Sequence, residues 1–434
     1  MTQELQTVRV AVLGCGTVGT EVVRLLHEQA DDLGPRTRAR IELVGIAVRD
    51  VDAPRDPVVP GELLTTDAEG LVRRSDLVVE LIGGIEPART LVLAAIAAGA
   101  SVVTANKALL AAHGPEIYGA AEERGVDVYY EAAVAGAVPV VRGVREALAG
   151  DRVDRVLGIV NGTTNFILDE MTTRGVGFGE ALADAQALGY AEADPTADID
   201  GHDAAAKIAI LASLAFHTRV SIDDVPVEGI RYVTAGDVAA AADSNHVIKL
   251  LAIAERRQHD DGEGITVRVH PTLLPLDHPL ATVHGAFNAV VVDAAAAGRL
   301  MFYGQGAGGA PTASAVLGDM VAAIRNRVDG GLGPAESRYA DLPVLGSAAV
   351  TTQFQLRLEV DDVPGVLASI AGAFGEHGVS IQTVAQTSTP SPGGAELVVV
   401  THRGNEAALA ATADSVARIP AVKRVLAVTR VEDE

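Results

Sequence analysis

The sequence has few of the residues that build disulfide, metal and nucleic-acid sites. One cysteine among 434 residues can form neither an internal disulfide nor a cysteine-ligated zinc or iron–sulfur site. The 11 histidines show no H-E-x-x-H or similar spacing, which argues against a catalytic metal. With Lys+Arg 34 against Asp+Glu 57, the net charge of −23 argues against a nucleic-acid partner.

The sequence also shows no pattern typical of a membrane-spanning segment or a signal peptide. No apolar run reaches about 18 residues without a charge, and the N-terminus lacks a basic region followed by an apolar core. Hydrophobic residues make up 48% and charged residues 21%, as in a globular chain long enough for two or three domains. We therefore expect a cytoplasmic protein with no membrane partner, and the single cysteine fits a reducing compartment.

The first part of the sequence predicts a doubly wound α/β (Rossmann) domain. Short β-branched runs alternate with helical patterns, and they lie at 8–14, 41–48, 76–84, 101–106 and 126–132. Strands separated by helices of this length predict right-handed βαβ units and a parallel sheet covered on both faces. We place this domain at 1–133 and expect a helix near 311–328 to complete it.

Two further domains are predicted after the first. An α+β domain at 134–340 contains helices and a β-rich stretch, at 179–188, 202–216 and 265–294. Residues 354–431 follow the order strand, helix, strand, strand, helix, strand, with a turn at 390–394, which is the ferredoxin-like order. The last domain is placed at 350–434, behind a linker at 333–353.

A glycine motif between the first strand and the first helix predicts a dinucleotide site. It reads Gly14-Cys15-Gly16-Thr17-Val18-Gly19. Glycines there allow a tight turn and the close approach of a pyrophosphate. The free N–H groups and the positive dipole end at the helix N-terminus bind the phosphates. The alternative is a tight turn without a ligand. Cys15 suits a packing role better than that of a nucleophile.

The choice of dinucleotide is read at the end of the second strand. That strand ends at Arg49 and Asp50, and Arg55 follows. Arginines suit the 2′-phosphate of NADP, whereas Asp50 keeps NAD possible, because NAD enzymes place a carboxylate there. We predict NADP with Arg49 at its 2′-phosphate. The alternative is that both arginines are surface residues paired with Asp50 and Asp52.

The stretch 188–207 gathers acidic residues near one lysine. Its carboxylates are Glu192, Asp194, Asp198, Asp200 and Asp203. Asp203 and Lys207 lie four apart on a predicted helix, so they share a face. Carboxylates bind an ammonium group and a lysine gives a proton to a developing alkoxide, so the pattern predicts reduction of a carbonyl. One alternative is a calcium loop, although the end positions of an EF-hand are missing; another is an ordinary surface pair.

A second lysine is predicted at the ligand-binding edge of the parallel sheet. Thr104-Ala105-Asn106-Lys107 follows the fourth predicted strand. Ligands of open α/β sheets bind at the carboxyl ends of the strands. Lys107 is therefore expected to meet the nicotinamide or the substrate.

These segments together resemble the homoserine dehydrogenase family, in its monofunctional form with a C-terminal ACT domain. Beyond the glycine motif, the resemblance rests on LIGGIEPA (81–88), TANKALLA (104–111), YEAAVAGAVP (130–139), NGTTNFIL (161–168), the 188–207 stretch and GQGAGGAPTASAVLGD (304–319). It implies NAD(P)H-dependent reduction of L-aspartate 4-semialdehyde to L-homoserine, in threonine and methionine synthesis.

The resemblance also implies roles for individual residues. Lys207 becomes the general acid/base, Glu192 and Asp203 hold or orient the substrate, and Lys107 lies between cofactor and substrate. Thr104, Lys107 and Gly308 match positions that contact the cofactor. A monovalent cation such as sodium is implied, held largely through carbonyl oxygens, by Glu131, Val134, Gly136 and Val138.

Regulation and assembly are likewise expected from the resemblance. The segment DDVPGVL (361–367), with Asp361, Pro364 and Gly365, resembles the ligand-binding loop of ACT domains, which pair edge to edge and bind amino acids. A homodimer or a dimer of dimers and feedback inhibition by threonine are implied. One alternative is an ACT unit that only stabilises assembly. For the whole chain, the alternative is a catalytically silent, dinucleotide-dependent amino-acid sensor.

An aldehyde-oxidising dehydrogenase is a rival that the sequence excludes. Such an enzyme forms an acyl-enzyme and therefore needs a reactive cysteine. The single cysteine lies in the glycine motif instead.

Overall fold

Residues 5–259, 262–388 and 394–432 are described by a computed structural model. The chain forms two compact units. The first comprises Met1–Gly162, Asp203–Val225 and Ala286–Asp341, and the second comprises Thr163–His202, Pro226–Gly285 and Leu342–Glu434. These units cut across the predicted middle domain, and the domain boundaries at 133/134 and 340/350 stay a prediction. In the described part of the chain, no helix is both long and apolar enough to cross a membrane.

The strands and helices follow one another along the whole described chain. The strands are β1 (Gln6–Leu13), β2 (Ala39–Ala47), β3 (Leu64–Thr65), β4 (Leu77–Glu80), β5 (Ser101–Thr104), β6 (Val128–Tyr129), β7 (Val153–Ile159), β8 (His246–His259), β9 (Gly262–Pro275), β10 (Phe287–Ala294), β11 (Gly298–Gln305), β12 (Thr351–Asp361), β13 (Ile381–Ser388), β14 (Gly394–Thr401), β15 (Gly404–Asn405) and β16 (Val422–Val431). The helices are α1 (Thr17–Glu28), α2 (Ala30–Thr37), α3 (Ala68–Arg73), α4 (Ala88–Ala97), α5 (Lys107–Arg124), α6 (Val140–Arg142), α7 (Gly162–Arg174), α8 (Phe178–Ala187), α9 (Thr196–Ile199), α10 (His202–Phe216), α11 (Ala235–Asp243), α12 (Gly309–Asp329), α13 (Val366–Glu376) and α14 (Glu406–Ala417).

The first unit contains the predicted parallel sheet, which confirms the doubly wound fold. Its strand order is β3-β2-β1-β4-β5-β6, and every pairing is parallel. Strand β1 is buried on both faces: Val8 and Val10 belong to one core cluster, whereas Ala11 and Leu13 belong to another. The two-residue strand β3 is an addition that the sequence pattern did not predict.

A helix from late in the chain completes one face of this sheet. Residues Val316 and Met320 of α12 belong to the same buried cluster as Val8 and Val10 of β1. The helix spans Gly309–Asp329, which covers the stretch near 311–328 that the sequence predicted to pack there. The last two strands before this helix, β10 and β11, pair antiparallel, and β10 also pairs antiparallel with β7.

The second unit contains the ferredoxin-like element order at its C-terminal end. Strands β16, β12, β14 and β13 lie side by side in that order, and each neighbouring pair is antiparallel. Helices α13 and α14 supply Ile370, Phe374 and Leu409 to the core on this sheet. The order predicted for 354–431 is therefore confirmed, with the short β15 added. Residues 390–393 of the predicted turn lie outside the described residues.

The ferredoxin-like sheet is continuous with the β8–β9 hairpin. Strand β16 pairs in parallel with β9 at Arg430 and Thr272 and at Val431 and Leu273, and β9 pairs antiparallel with β8. The guanidinium of Arg430 also lies 2.8 Å from a carboxylate oxygen of Glu228. Sequence reasoning treated this part as a unit behind a linker, whereas backbone pairing ties it to the preceding hairpin.

We expect the α12 packing to contribute strongly to the stability of the first sheet. Met320 is 1% exposed, so Met320→Ala should lower the free energy of unfolding by about 2–5 kcal/mol, through lost burial and a cavity. The exposed Ser314 on the same helix provides the control, and Ser314→Ala should change stability by less than about 0.5 kcal/mol. Urea unfolding measures both. Equal midpoints for the two variants would contradict this role of α12.

Candidate active site

The glycine motif forms a tight turn between β1 and α1. Gly14 has φ +96°, and a Cβ atom there would lie 2.7 Å from the carbonyl oxygen of Leu81. A Cβ atom at Gly19 would lie 2.3 Å from the carbonyl oxygen of Gly14, so the first turn of α1 needs glycine for close packing. Gly16 is the N-cap of α1 and has open space around it. The N–H groups of the first turn, at Thr17 and Val18, are thus available to a phosphate.

Two further features of this loop bear on the predictions. Cys15 is half-buried, with its Sγ atom 3.7 Å from the hydroxyl of Thr20, and its side chain packs against the sheet core. Gly308 has φ +124° and caps α12, whose first residue, Gly309, packs against Thr17 of α1. The predicted cofactor residue Gly308 therefore lies beside the first turn of α1.

A buried carboxylate organises the carboxyl ends of β4 and β5. Glu80 is completely buried; its side chain accepts hydrogen bonds from the Thr104 hydroxyl (2.6 Å) and the backbone N–H groups of Ile82 (2.8 Å) and Gly83 (3.2 Å). The Thr104 hydroxyl in turn accepts from the backbone N–H of Asn106 (3.0 Å). This network fixes Thr104, a predicted cofactor contact, and the residue before Lys107.

The start of α5 places Lys107 at the edge of the sheet. Asn106 is the N-cap of α5: its side-chain oxygen accepts from the N–H of Leu109 (3.1 Å), while its amide nitrogen donates to the carbonyl of Gly84 (2.7 Å). Lys107 is the first residue of the helix, and its side chain is 43% exposed.

Asp203 joins two lysines that are far apart in the sequence. One of its carboxylate oxygens lies 2.9 Å from the Nζ atom of Lys107, and the other lies 2.8 Å from Nζ of Lys207. The side-chain amide of Asn161 donates to Asp203 as well (2.8 Å). Burial alone would raise the pKa of the Asp203 carboxyl, but Lys207, Lys107 and Asn161 outweigh it and hold this pKa well below its usual range.

Lys207 is held by two acceptors in a nearly closed environment. Its side chain is 11% exposed, and its ammonium donates to the carbonyl of Val160 (2.7 Å) and to Asp203. An ammonium group has three donors, so one N–H remains to reach a substrate oxygen. The Val160 carbonyl also accepts from the side-chain amide of Asn288 (3.0 Å), which fixes its direction.

The remaining carboxylates of the 188–207 stretch have different surroundings. Asp200 forms a bidentate ion pair with Arg231 (2.8 and 2.9 Å). The Asp194 carboxylate accepts a hydrogen bond from the N–H of Thr196 at the start of α9 (3.1 Å). Asp194 and Asp200 therefore each have a local partner. Glu192 is exposed, and its role in holding the substrate stays a prediction.

The two arginines after β2 differ in what they contact. Arg55 donates to the backbone carbonyls of Asp50 (2.6 Å) and Ala53 (2.8 Å) and so shapes the loop. Arg49 is exposed, and its guanidinium has no ion pair to Asp50 or Asp52 within the described ranges. Neither Arg49 nor Arg55 forms an ion pair with these carboxylates in the described part of the chain, and the preference for NADP stays a prediction.

The predicted cation residues form a buried turn at the end of β6. Glu131 is 4% exposed, and its carboxylate accepts from the N–H groups of Val141 and Arg142 (both 2.9 Å) at the start of α6. Burial raises the pKa of this carboxyl to about 7. Among the described residues, no group of three His, Cys, Asp or Glu side chains could hold a metal ion.

The loop between β12 and α13 is the predicted effector site. Gly365 has φ +94° and is the N-cap of α13, and Pro364 beside it is exposed. Asp361, the last residue of β12, has a carboxylate oxygen 3.0 Å from Nζ of Lys423. Asp361 lies five residues before Val366, the first residue of α13, and its side chain is 43% exposed.

Sequence reasoning missed three residues that support the catalytic group. Glu80 could have been found as a charged residue at the end of a buried β-branched run. Asn161 begins the NGTTNFIL segment, but its contact with Asp203, like that of Asn288 with the Val160 carbonyl, joins residues distant in the sequence. The contact between Lys107 and Asp203 is equally invisible to spacing.

Family models match most of the chain. The homoserine dehydrogenase model matches residues 139–321, its NAD binding domain model matches 14–131, and the ACT domain model matches 354–421. The homoserine dehydrogenase of Corynebacterium glutamicum is 55% identical over 98% of this chain and 96% of its own length. That of Mycobacterium tuberculosis H37Rv is also 55% identical, over 98% of both chains.

Solved structures agree with the sequence matches. A homoserine dehydrogenase from Thiobacillus denitrificans is 41% identical, with a TM-score of 0.92 over 99% of both chains. A hyperthermophilic archaeal homoserine dehydrogenase in complex with NADPH is 27% identical, with a TM-score of 0.62 over 73% of this chain and 98% of its own. None of these relatives supports the alternative of a silent sensor. The chain therefore belongs to the homoserine dehydrogenase family of NAD(P)-dependent oxidoreductases, and its ACT domain implies an amino-acid effector.

Proposed function

We propose that Lys207 is the general acid/base in the reduction of L-aspartate 4-semialdehyde to L-homoserine. The bound dinucleotide supplies the hydride. The remaining N–H of the Lys207 ammonium donates its proton to the aldehyde oxygen as negative charge develops there, and the neutral amine takes a proton from the hydroxyl of homoserine in the reverse direction. The contact of Asp203 with both Lys107 and Lys207 is the observation that carries this proposal.

Asp203 and Lys107 complete the proposed catalytic group. The lysines hold the pKa of Asp203 well below its usual range, so its carboxylate stays ionised, and its ion pair directs the Lys207 ammonium. Lys107 is partly exposed beside Thr104, so it contacts both the substrate and the cofactor in this proposal. The exposed carboxylate of Glu192 is assigned to the ammonium group of the substrate.

NADP is the proposed cofactor, with NAD as the second choice. Arg49 is exposed at the end of β2, where a ribose 2′-phosphate is received in this fold. The glycine turn, Thr104 and Gly308 are assigned to the rest of the dinucleotide. All of these residues belong to the first unit.

A monovalent cation such as sodium is proposed at the turn after β6. Ala135 and Gly136 have consecutive φ values of +56° and +57°, so successive carbonyl groups of Glu131, Val134, Gly136 and Val138 turn within a short segment. A Cβ atom at Gly136 would lie 2.5 Å from the carbonyl of Gly306, and Gly306 packs against Asn288. The Asn288 side-chain oxygen is buried without a hydrogen-bond partner in the described chain, which fits a nearby cation. The cation would hold this turn in shape.

Regulation by threonine, a dimeric or tetrameric assembly and a cytoplasmic location belong to the same proposal. The effector's carboxylate would meet the first N–H groups of α13, and its ammonium would pair with Asp361. Edge-to-edge pairing of ACT sheets supports an assembly of two or four subunits.

Replacing Lys207 with arginine tests the proton-transfer role. Lys207→Arg keeps the charge but does not give up a proton, so kcat should fall by about 10²-fold or more. Dinucleotide affinity should remain near that of the wild type. Steady-state NADPH oxidation with aspartate semialdehyde measures the loss, and Lys423→Arg in the ACT domain is the control. Near-normal turnover of Lys207→Arg would refute the assignment.

The NADP preference is tested at Arg49. Removing a charge-assisted contact to the 2′-phosphate should raise KM for NADPH by about tenfold, while KM for NADH should stay nearly constant, because NADH lacks this group. Arg49→Ala is compared with Arg40→Ala, an exposed arginine at the other end of β2. Equal losses with both cofactors would show that Arg49 is structural.

The effector site is tested in the full-length chain. Removing the ACT domain by truncation near Gly346 would also remove β16 and expose the edge of β9. A point variant in the full-length chain avoids this second effect. We expect threonine to inhibit the wild type, with a coupling of about 5–150-fold, and Asp361→Ala to lose most of this inhibition. Asp414→Ala, on the exposed face of α14, should remain inhibited. A wild type indifferent to threonine, or an inhibited Asp361→Ala, would contradict the proposal.

A further inference from the structure

The first unit contains a cavity that the proposed mechanism does not use. Its volume is about 370 Å³, within the range of small-molecule sites. Leu110 on α5 and Ile210 and Leu214 on α10 supply apolar walls, and residues 332–337 line it from a third side.

This cavity lies away from the catalytic residues. The residues that line the cavity run from Leu110 to Glu122 on α5 and from Ala209 to Leu214 on α10, and they do not include Lys107, Asp203 or Lys207. Val126 and Val128 also line it, so it reaches the amino end of β6. The cofactor residues lie at the carboxyl ends of the parallel strands. A ligand in the cavity would therefore occupy a site separate from substrate and dinucleotide.

The segment 332–337 is fixed in place by specific contacts. Glu336 forms a bidentate ion pair with Arg219 (2.8 and 3.0 Å). The N–H of Gly333 donates to the carboxylate of Asp127 (2.7 Å), and Ser337 hydrogen-bonds to His217 (2.9 Å). These contacts hold the segment 332–337 against the cavity, so the third wall has a defined position.

One nearly buried cation, Arg145, lines the cavity. The side chain of Arg145 is 9% exposed, and its guanidinium lies over the rings of Tyr129 and Tyr130, at 5.0 and 5.3 Å from the ring centroids. The carboxylate paired with it, Glu146, lies 3.6 Å away. Its Nε atom is buried and has no hydrogen-bond partner among the described residues. The 3.6 Å separation from Glu146 is longer than a charge-assisted hydrogen bond of about 2.7–2.9 Å, so the guanidinium can take a closer carboxylate from the cavity.

We propose that this cavity binds a small carboxylate with an aromatic or branched apolar body. The carboxylate would pair with Arg145, and the apolar body would pack on Tyr118, Tyr130 and the walls from α5 and α10. Arg219 already has Glu336 as its partner, so it offers less to an anion.

Three carboxylates also line the cavity, those of Glu122, Asp127 and Asp224. Glu122 and Asp224 are exposed, so water and salt screen their charges, and the buried Asp127 carboxylate accepts hydrogen bonds from Gly333 and from the side-chain amide of Asn326 (2.8 Å).

Calorimetric titration of the full-length, NADPH-saturated protein with 3-phenylpropionate tests this site. 3-Phenylpropanamide is the matched neutral probe. The acid should bind at least about tenfold more tightly than the amide, because only the acid makes a charge-assisted contact with Arg145. Arg145→Met should remove this preference for the acid.

A second pair of variants locates the probe and does not depend on Arg145. Leu214→Trp fills the cavity and should weaken binding of the acid by about tenfold or more. Leu276→Trp adds the same side chain at a position that is 57% exposed. This control variant should bind the acid as tightly as the wild type does. Absence of saturable binding, equal affinities for acid and amide, or unchanged binding by Leu214→Trp would each overturn the proposal.

Discussion

The proposed catalytic site depends on one buried carboxylate that is shared by two ammonium groups. Asp203 is 7% exposed and contacts Lys107 and Lys207 at 2.9 and 2.8 Å. A buried charge is tolerated only when it is paired and hydrogen-bonded, and the Asp203 carboxylate has both lysines and Asn161 as partners. Removing Asp203 would leave the nearly buried Lys207 ammonium without its counter-charge. The geometry of proton transfer follows from this pairing.

The fold brings these groups together through the first turns of two helices. Lys107 begins α5 directly after β5, and Asp203 and Lys207 lie one turn apart on α10. Helix α10 is buried along nearly its whole length, so its polar first turns must find partners inside the protein. Glu80 fixes Thr104 and thereby the entry into α5, while Val160 and Asn161 meet Lys207 and Asp203 from the segment after β7.

Local patterns predicted what local geometry determines. The glycine turn, the parallel sheet, the βαββαβ order and the shared helical face of Asp203 and Lys207 all follow from spacing along the chain. Tertiary contacts were not accessible in the same way. The pairing of Lys107 with Asp203, and that of β16 with β9, join segments distant in sequence, and the roles of Asp194 and Asp200 depended on partners that spacing does not reveal.

The proposed mechanism requires Asp203 and Lys207 to act together in proton transfer. A double-mutant cycle on kcat with Asp203→Asn, Lys207→Met and the double variant measures this directly. Residues that act together show strongly non-additive losses, so the double variant should be hardly slower than the slower single variant. Losses that multiply would contradict the account, because they would mean that Asp203 contributes to turnover independently of Lys207.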